Sequence, residues 1–165
     1  MQIIPMLVQE MENEAITTRK MLERVPAEKF NWQPHVKSMT LQRLATHVAE
    51  LPGWVSMTLN TNELDFAITG YNRYLAGSTE ELLAYFDKNL AEGKHRLEIA
   101  TEDELEQLWT LRNGERIFFV SPKAEFVRIA FSQTVHHRAQ LGVFLRLLDI
   151  PIPGSYGPSA DEGSM

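Results

Sequence analysis

The sequence predicts an all-α fold: a four-helix bundle with a small β-hairpin before the last helix. Three observations lead there. Four long stretches carry apolar residues every three or four positions. An Asn-Gly pair separates two short apolar runs, and cap or breaker residues fall at the joints. The 165 residues suit one domain over 1–165, large enough to build a core without disulfides or structural metal.

The first helix is marked by Ile4, Leu7, Met11, Ala15, Thr18, Leu22 and Val25, which form one stripe, and Pro26 ends it. "KFNWQPHVKS" has no helical period and reads as a loop. A second helix opens near Ser38 and repeats the stepping through Leu41, Leu44, Val48, Leu51 and Val55. Pro52 removes one backbone donor there, which predicts a kink or break around Glu50 to Gly53. The pattern weakens from Thr61 to Gly77, leaving a connection long enough for a crossover.

"STEE" at Ser78 to Glu81 is a capping box and starts a third helix, which runs to about Ile99. Asn113-Gly114 in "LWTLRNGERIFFV" predicts a hairpin with a type I′ turn, whose two central residues both need positive φ. Ser121-Pro122 reads as a cap and first-turn pair opening a last helix to about Leu148. The remainder, about 149–165, is rich in Pro, Gly and Ser and forms an extended tail.

Composition narrows the function classes. Apolar residues make up 44% and charged residues 23%, ordinary soluble globular usage. The absence of cysteine removes disulfides, thiolate zinc sites and a cysteine nucleophile, so any thiol chemistry here needs a borrowed thiol. "MQIIPMLVQEMENE" has neither a basic leader nor a long apolar run, so no membrane association is expected and the cytoplasm is the expected compartment. A net charge of −6 argues against nucleic acid, whose binding draws on clustered Lys and Arg.

The histidines are the candidate chemistry. Successive helical residues turn by about 100°. On the last helix that puts Phe126, Ala130, Gln133, His137, Phe144 and Leu148 on one side, while His136 falls on the flank beside Gln140. On the second helix His47 lies at the edge of the apolar face, with Trp54 further along that side. One inward imidazole per helix, with Gln133 a turn before His137, could assemble a divalent-metal site with open positions. The same placement also describes two hydrogen-bonded core histidines, the reading that composition alone favours. His35 and His95 sit in a loop and near a helix end, where solvent or a carbonyl suffices. Trp32, Trp54 and Trp109 either frame a pocket or fill the gap between bundle and hairpin. Neither a phosphate-binding glycine loop nor a serine elbow is present.

"KSMTLQRLATHVAELPGW" together with "HHRAQLGVFLRLLDIPIPGSYGPSADE" resembles the DinB/YfiT-like family of metalloenzymes, over nearly the whole chain. The resemblance implies a bundle in up-down-down-up order, a homodimer, and three histidines holding nickel, zinc or a similar divalent ion. His47 matches the second-helix ligand and His137 the last one. The third ligand position, four residues before His137, holds Gln133. A neutral amide oxygen suits zinc or nickel less well than imidazole, so the resemblance implies weakened or altered metal binding. His136 is turned about 100° from His137 and is assigned a hydrogen-bonding role around the site rather than ligation.

What the resemblance implies for activity is a metal-dependent S-transferase or hydrolase. In the transferase version a low-molecular-weight thiol meets a small electrophilic substrate, with His47, His137 and Gln133 at the ion and Trp54 on the pocket wall. In the hydrolase version water is activated instead, although no carboxylate projects convincingly beside the histidines as a base. The contrasting expectation is a non-catalytic binding or stress-associated module whose metal site has decayed at Gln133.

Overall fold

The computed structural model describes residues 2–70 and 73–163. Helix α1, Ile3–Leu22, buries the stripe Leu7, Met11, Ala15, Thr18 and Leu22, and a single 3-10 turn at Ala27–Lys29 follows Pro26. Helix α2, Leu41–Asn60, starts at Thr40, whose side chain accepts from the Arg43 amide at 3.2 Å. Leu41, Leu44, Val48, Leu51, Val55 and Leu59 are all buried, each contributing roughly 1.5–3 kcal/mol of apolar burial.

Of the kink or break expected at Pro52, the break does not occur. The helix runs unbroken from Leu41 to Asn60. Beside the proline, Asn89 of the neighbouring helix donates to the Ala49 carbonyl at 3.2 Å. That neighbour is α4, Thr79–Glu98, whose Ser78 cap accepts from the Glu81 amide as the capping box predicts. Glu81 returns its carboxylate to the Gly77 amide at 2.8 Å.

The weakly patterned segment after α2 is structured. Strand β1, Glu63–Asp65, leads into a one-turn helix α3, Phe66–Thr69. Past α4 a short helix α5, Glu102–Glu106, starts at a Thr101 cap. Strands β2, Leu108–Asn113, and β3, Arg116–Pro122, form the hairpin. β1 pairs in parallel with β2, so the hairpin is two-thirds of a three-stranded sheet of order β1-β2-β3. Its turn differs from expectation. Asn113 pairs with Arg116, leaving Gly114 and Glu115 at the centre, and positive φ (58°) falls on Gly114 alone, as in a II′ turn. Asp65 fixes this shift: its Oδ1 accepts from both the Gly114 and Ala67 amides at 2.9 Å.

Helix α6, Lys123–Leu147, follows β3 directly. Ser121 is the last residue but one of the strand rather than a helix cap, because its hydroxyl turns to the Pro122 carbonyl. The four long helices pack together, α2 on α4 and α6, and α1 on α4, α6 and α2. Two apolar clusters are stacked along them. One centres on Leu22, Leu44, Val48, Phe86 and Leu141, the other on Leu7, Met11, Val55, Leu97 and Val127.

The tail folds back on α6. Arg146 pairs with Asp161, which also accepts from the Ile152 amide at 3.0 Å, and Glu162 accepts from the Gly154 amide at 2.9 Å. Among the described residues, no helix is long and apolar enough to cross a membrane.

Candidate metal centre

A single face of α2 supplies one side of the site. Met39 just before it, then Arg43, His47, Glu50, Trp54 and Met57, recur every three or four residues and line one side of a cavity of about 450 Å³. The opposite side comes from the segment that carries no helical period: Leu64 of β1, Phe66 and Thr69 of α3, with Leu111 of β2 and Phe126 of α6. The small sheet therefore closes the cavity against α2.

His47 and His137 meet across the α2–α6 contact. Their ring centroids are 4.5 Å apart and nearly perpendicular. His47 is 8% exposed, and its Nδ1 donates to Glu50 Oε1 at 2.5 Å. A carboxylate only accepts, so Nδ1 carries a proton in this contact, and Nε2 is the ring nitrogen left to meet a ligand. His137 Nδ1 donates to Gln140 Oε1 at 3.1 Å, which orients its Nε2 in the same way. Burial, then the charge of His47, push the His137 pKa below the ordinary imidazole value, which keeps the ring neutral and its lone pair available.

The other sequence candidates divide. Trp54 stands edge-on to His47 at 5.6 Å and stacks over Phe126 at 6.4 Å, forming cavity wall. His137 opens on an adjoining hollow of about 310 Å³ that shares Met39 with the first. Gln133 is half-buried and lines a separate shallow depression with Ile129, Ser132 and exposed His136. His136 contacts the His137 ring edge-on at 4.8 Å. Among the described residues, no three His, Cys, Asp or Glu side chains converge as a ligand group. Trp109 is fully buried against Phe126 at 4.1 Å, filling the sheet–helix gap, and Trp32 packs on Phe144 away from the cavity.

Two residues were missed from sequence. Glu50 follows His47 by three, a spacing that puts them on one face and could have flagged it. Arg138 lies at the centre of the buried face of α6, between Thr134 and Leu141, with His137 on its flank. It pairs with Glu14 at 2.6 Å and donates to Thr18, Ser155 and the Tyr156 hydroxyl. An arginine beside two histidines carries no periodic signal that distinguishes burial from solvent. A larger hollow of about 550 Å³ lies between this tail and α6, walled mainly by carbon and without an imidazole, so it is no rival for the chemistry.

Fold and site together define a largely helical protein with a small sheet closing a cavity beside paired imidazoles from two long helices. Residues 2–164 match the DinB family, and the chain belongs to that family. It is similar to a protein of Bacillus subtilis (strain 168) named "Uncharacterized protein YrdA", 27% identical over 155 residues that span 92% of this chain and 86% of that one. A DinB-like protein of Bacillus cereus ATCC 10987 superposes with a TM-score of 0.70 at 19% identity, over 91% of this chain and 95% of the other. A DinB-like protein of Bacillus subtilis does so with 0.70 at 14% identity, over 91% and 96%.

Proposed function

We propose that this chain is a divalent-metal-dependent enzyme of the DinB family, in which His47 and His137 hold nickel or zinc through Nε2 and a small electrophilic substrate enters the cavity beside them. The observation that carries this reading is the imidazole pair itself: two rings in contact, each with Nδ1 committed to a fixed acceptor, one of them a carboxylate. Metal-ligating histidines are commonly oriented in this way.

When bound, such an ion supplies Lewis acidity and lowers the pKa of a thiol or water brought to it. The protein's own residues do the rest. Glu50 holds the His47 tautomer, Trp54 and Phe126 exclude water from one wall, and a low-molecular-weight thiol would serve as co-substrate because the chain has no cysteine. Gln133 is the proposed third, weak ligand. The helices would run in up-down-down-up order as a four-helix bundle, and the protein would act in the cytoplasm as a homodimer; sedimentation velocity tests that state.

Elemental analysis of untagged protein, purified without chelator and then offered nickel or zinc, tests the reading. One ion per chain, lost in both His47→Ala and His137→Ala, is the expected result. The second reading, a non-catalytic binding or stress-associated module, is favoured by Gln133 facing its own depression alongside His136. Metal-free wild type that gains tight metal on Gln133→His would select it. No gain in either protein would overturn the ligand set.

A further inference from the structure

The cavity wall holds a guanidinium, that of Arg43, whose ion pair with Glu50 is long. Arg43 is one turn before His47 on α2, with its side chain 17% exposed. Among the described residues, its Nε and Nη1 atoms are buried without a hydrogen-bond partner. The nearest acid, Glu50, is 3.9 Å from Nη2 and is already taken by His47 at 2.5 Å. Buried guanidinium donors without acceptors are costly, and an arginine keeps its charge at neutral pH, so an anion brought against this guanidinium would offset part of that cost.

The surroundings narrow that acceptor. Arg73 also borders the cavity, and its charge acts against that of Arg43. Glu50 beside Arg43 disfavours a dianion. Trp54 on the same side as Arg43, and Phe66 and Phe126 opposite, give the cavity an aromatic lining, and about 450 Å³ suits a ligand of a dozen or so heavy atoms.

We propose that Arg43 anchors an anion subsite in this cavity, and that its ligand is a monocarboxylate with a flat apolar body seated against Trp54, Phe66 and Phe126. The subsite deepens the reading above by giving the substrate's chemical class, since the carboxylate would hold the ligand beside the imidazole pair. Binding itself needs no metal, so the two ideas fail separately.

The test is an NMR shift titration of the full chain in chelator with benzoate, benzamide and inorganic phosphate. Benzoate should bind at least about tenfold more tightly than its neutral isostere benzamide, and phosphate more weakly than benzoate. Arg43→Met, which keeps the stem's packing, should bring benzoate to the level of benzamide, and Arg43→Lys should fall between. Equal binding of benzoate and benzamide by wild type, or binding of neither, overturns the proposal without any variant. So does a benzoate preference that survives Arg43→Met, and phosphate binding as tight as benzoate removes the monocarboxylate assignment. Benzoate preference in a protein that elemental analysis finds metal-free would leave this subsite standing on a binding module.

Discussion

Glu50 lies one helical turn beyond His47 on α2, and its Oε1 receives the Nδ1 proton of that ring at 2.5 Å. The carboxylate both fixes the ring's rotation and raises the basicity of Nε2. Removing it in Glu50→Ala should weaken nickel or zinc binding by about 10- to 100-fold, with Glu50→Gln less affected because an acceptor remains. Competition against a chromogenic chelator measures this. Unchanged affinity in Glu50→Ala would detach Glu50 from the metal centre.

His137 gives the metal-free protein an acid sensitivity of definite sign. Burial and the neighbouring His47 lower its pKa in the folded state below the ordinary value of 6.5. Below that value the unfolded chain takes up a proton that the folded one refuses, so stability falls as pH drops below 6.5 until the folded ring is protonated as well. Thermal melts in chelator should show a decline over this window that is smaller in His137→Gln. Equal declines would place the sensitive group elsewhere.

Gly93 of α4 crosses α2 so closely that a methyl there would lie 2.3 Å from the Pro52 carbonyl oxygen and 2.8 Å from Met11 Cε. The oxygen belongs to a helical backbone and has no rotamer to escape into. Gly93→Ala gains about 1 kcal/mol in helix propensity, yet should still destabilise the fold by roughly 1–3 kcal/mol through overpacking. A urea melt reads the difference, and a stabilised variant would contradict the close approach.

Arg138 joins α6 to α1 and the tail in one buried cluster of Glu14, Thr18, Ser155 and Tyr156. Arg138→Met keeps most of the volume but leaves Glu14 facing the cluster without its partner. Stability should fall by roughly 2–4 kcal/mol. Hydrogen exchange should rise over residues 154–162 while α2 stays protected. A uniform rise across the chain would mean that the cluster holds the whole fold rather than the tail.

Asp65 secures the sheet that closes the cavity by accepting from the Ala67 and Gly114 amides, which holds its carboxyl below the usual carboxylate range. Asp65→Ala should free the Gly114 amide to exchange and loosen the cavity wall at Phe66, with α4 and α6 unaffected. Retained protection at Gly114 would assign the turn to the hairpin alone.

The sequence by itself determined the features that depend on residues a few positions apart. The stripe of α1, the Ser78 capping box, the existence of a hairpin and the side of α2 that carries His47 and Trp54 are all short-range geometry, set by 100° per residue and by cap chemistry. The tertiary structure decided what depends on distant neighbours. Pro52 sits inside a continuous helix packed against α4, where Asn89 reaches the Ala49 carbonyl. The turn moves to Gly114-Glu115 because Asp65 claims the Gly114 amide. β1 exists because β2 offers it an edge. On α6 the projection put His137 within the apolar stripe, whereas Arg138 takes the centre of the buried face and His137 is only half-buried. That choice was made by α1 and the tail, which supply Arg138 with the acceptors a buried guanidinium requires. Arg43, by contrast, keeps two buried donors without a partner among the described residues. A sequence can reveal that a residue is polar, but only packing shows which polar residues are left without partners.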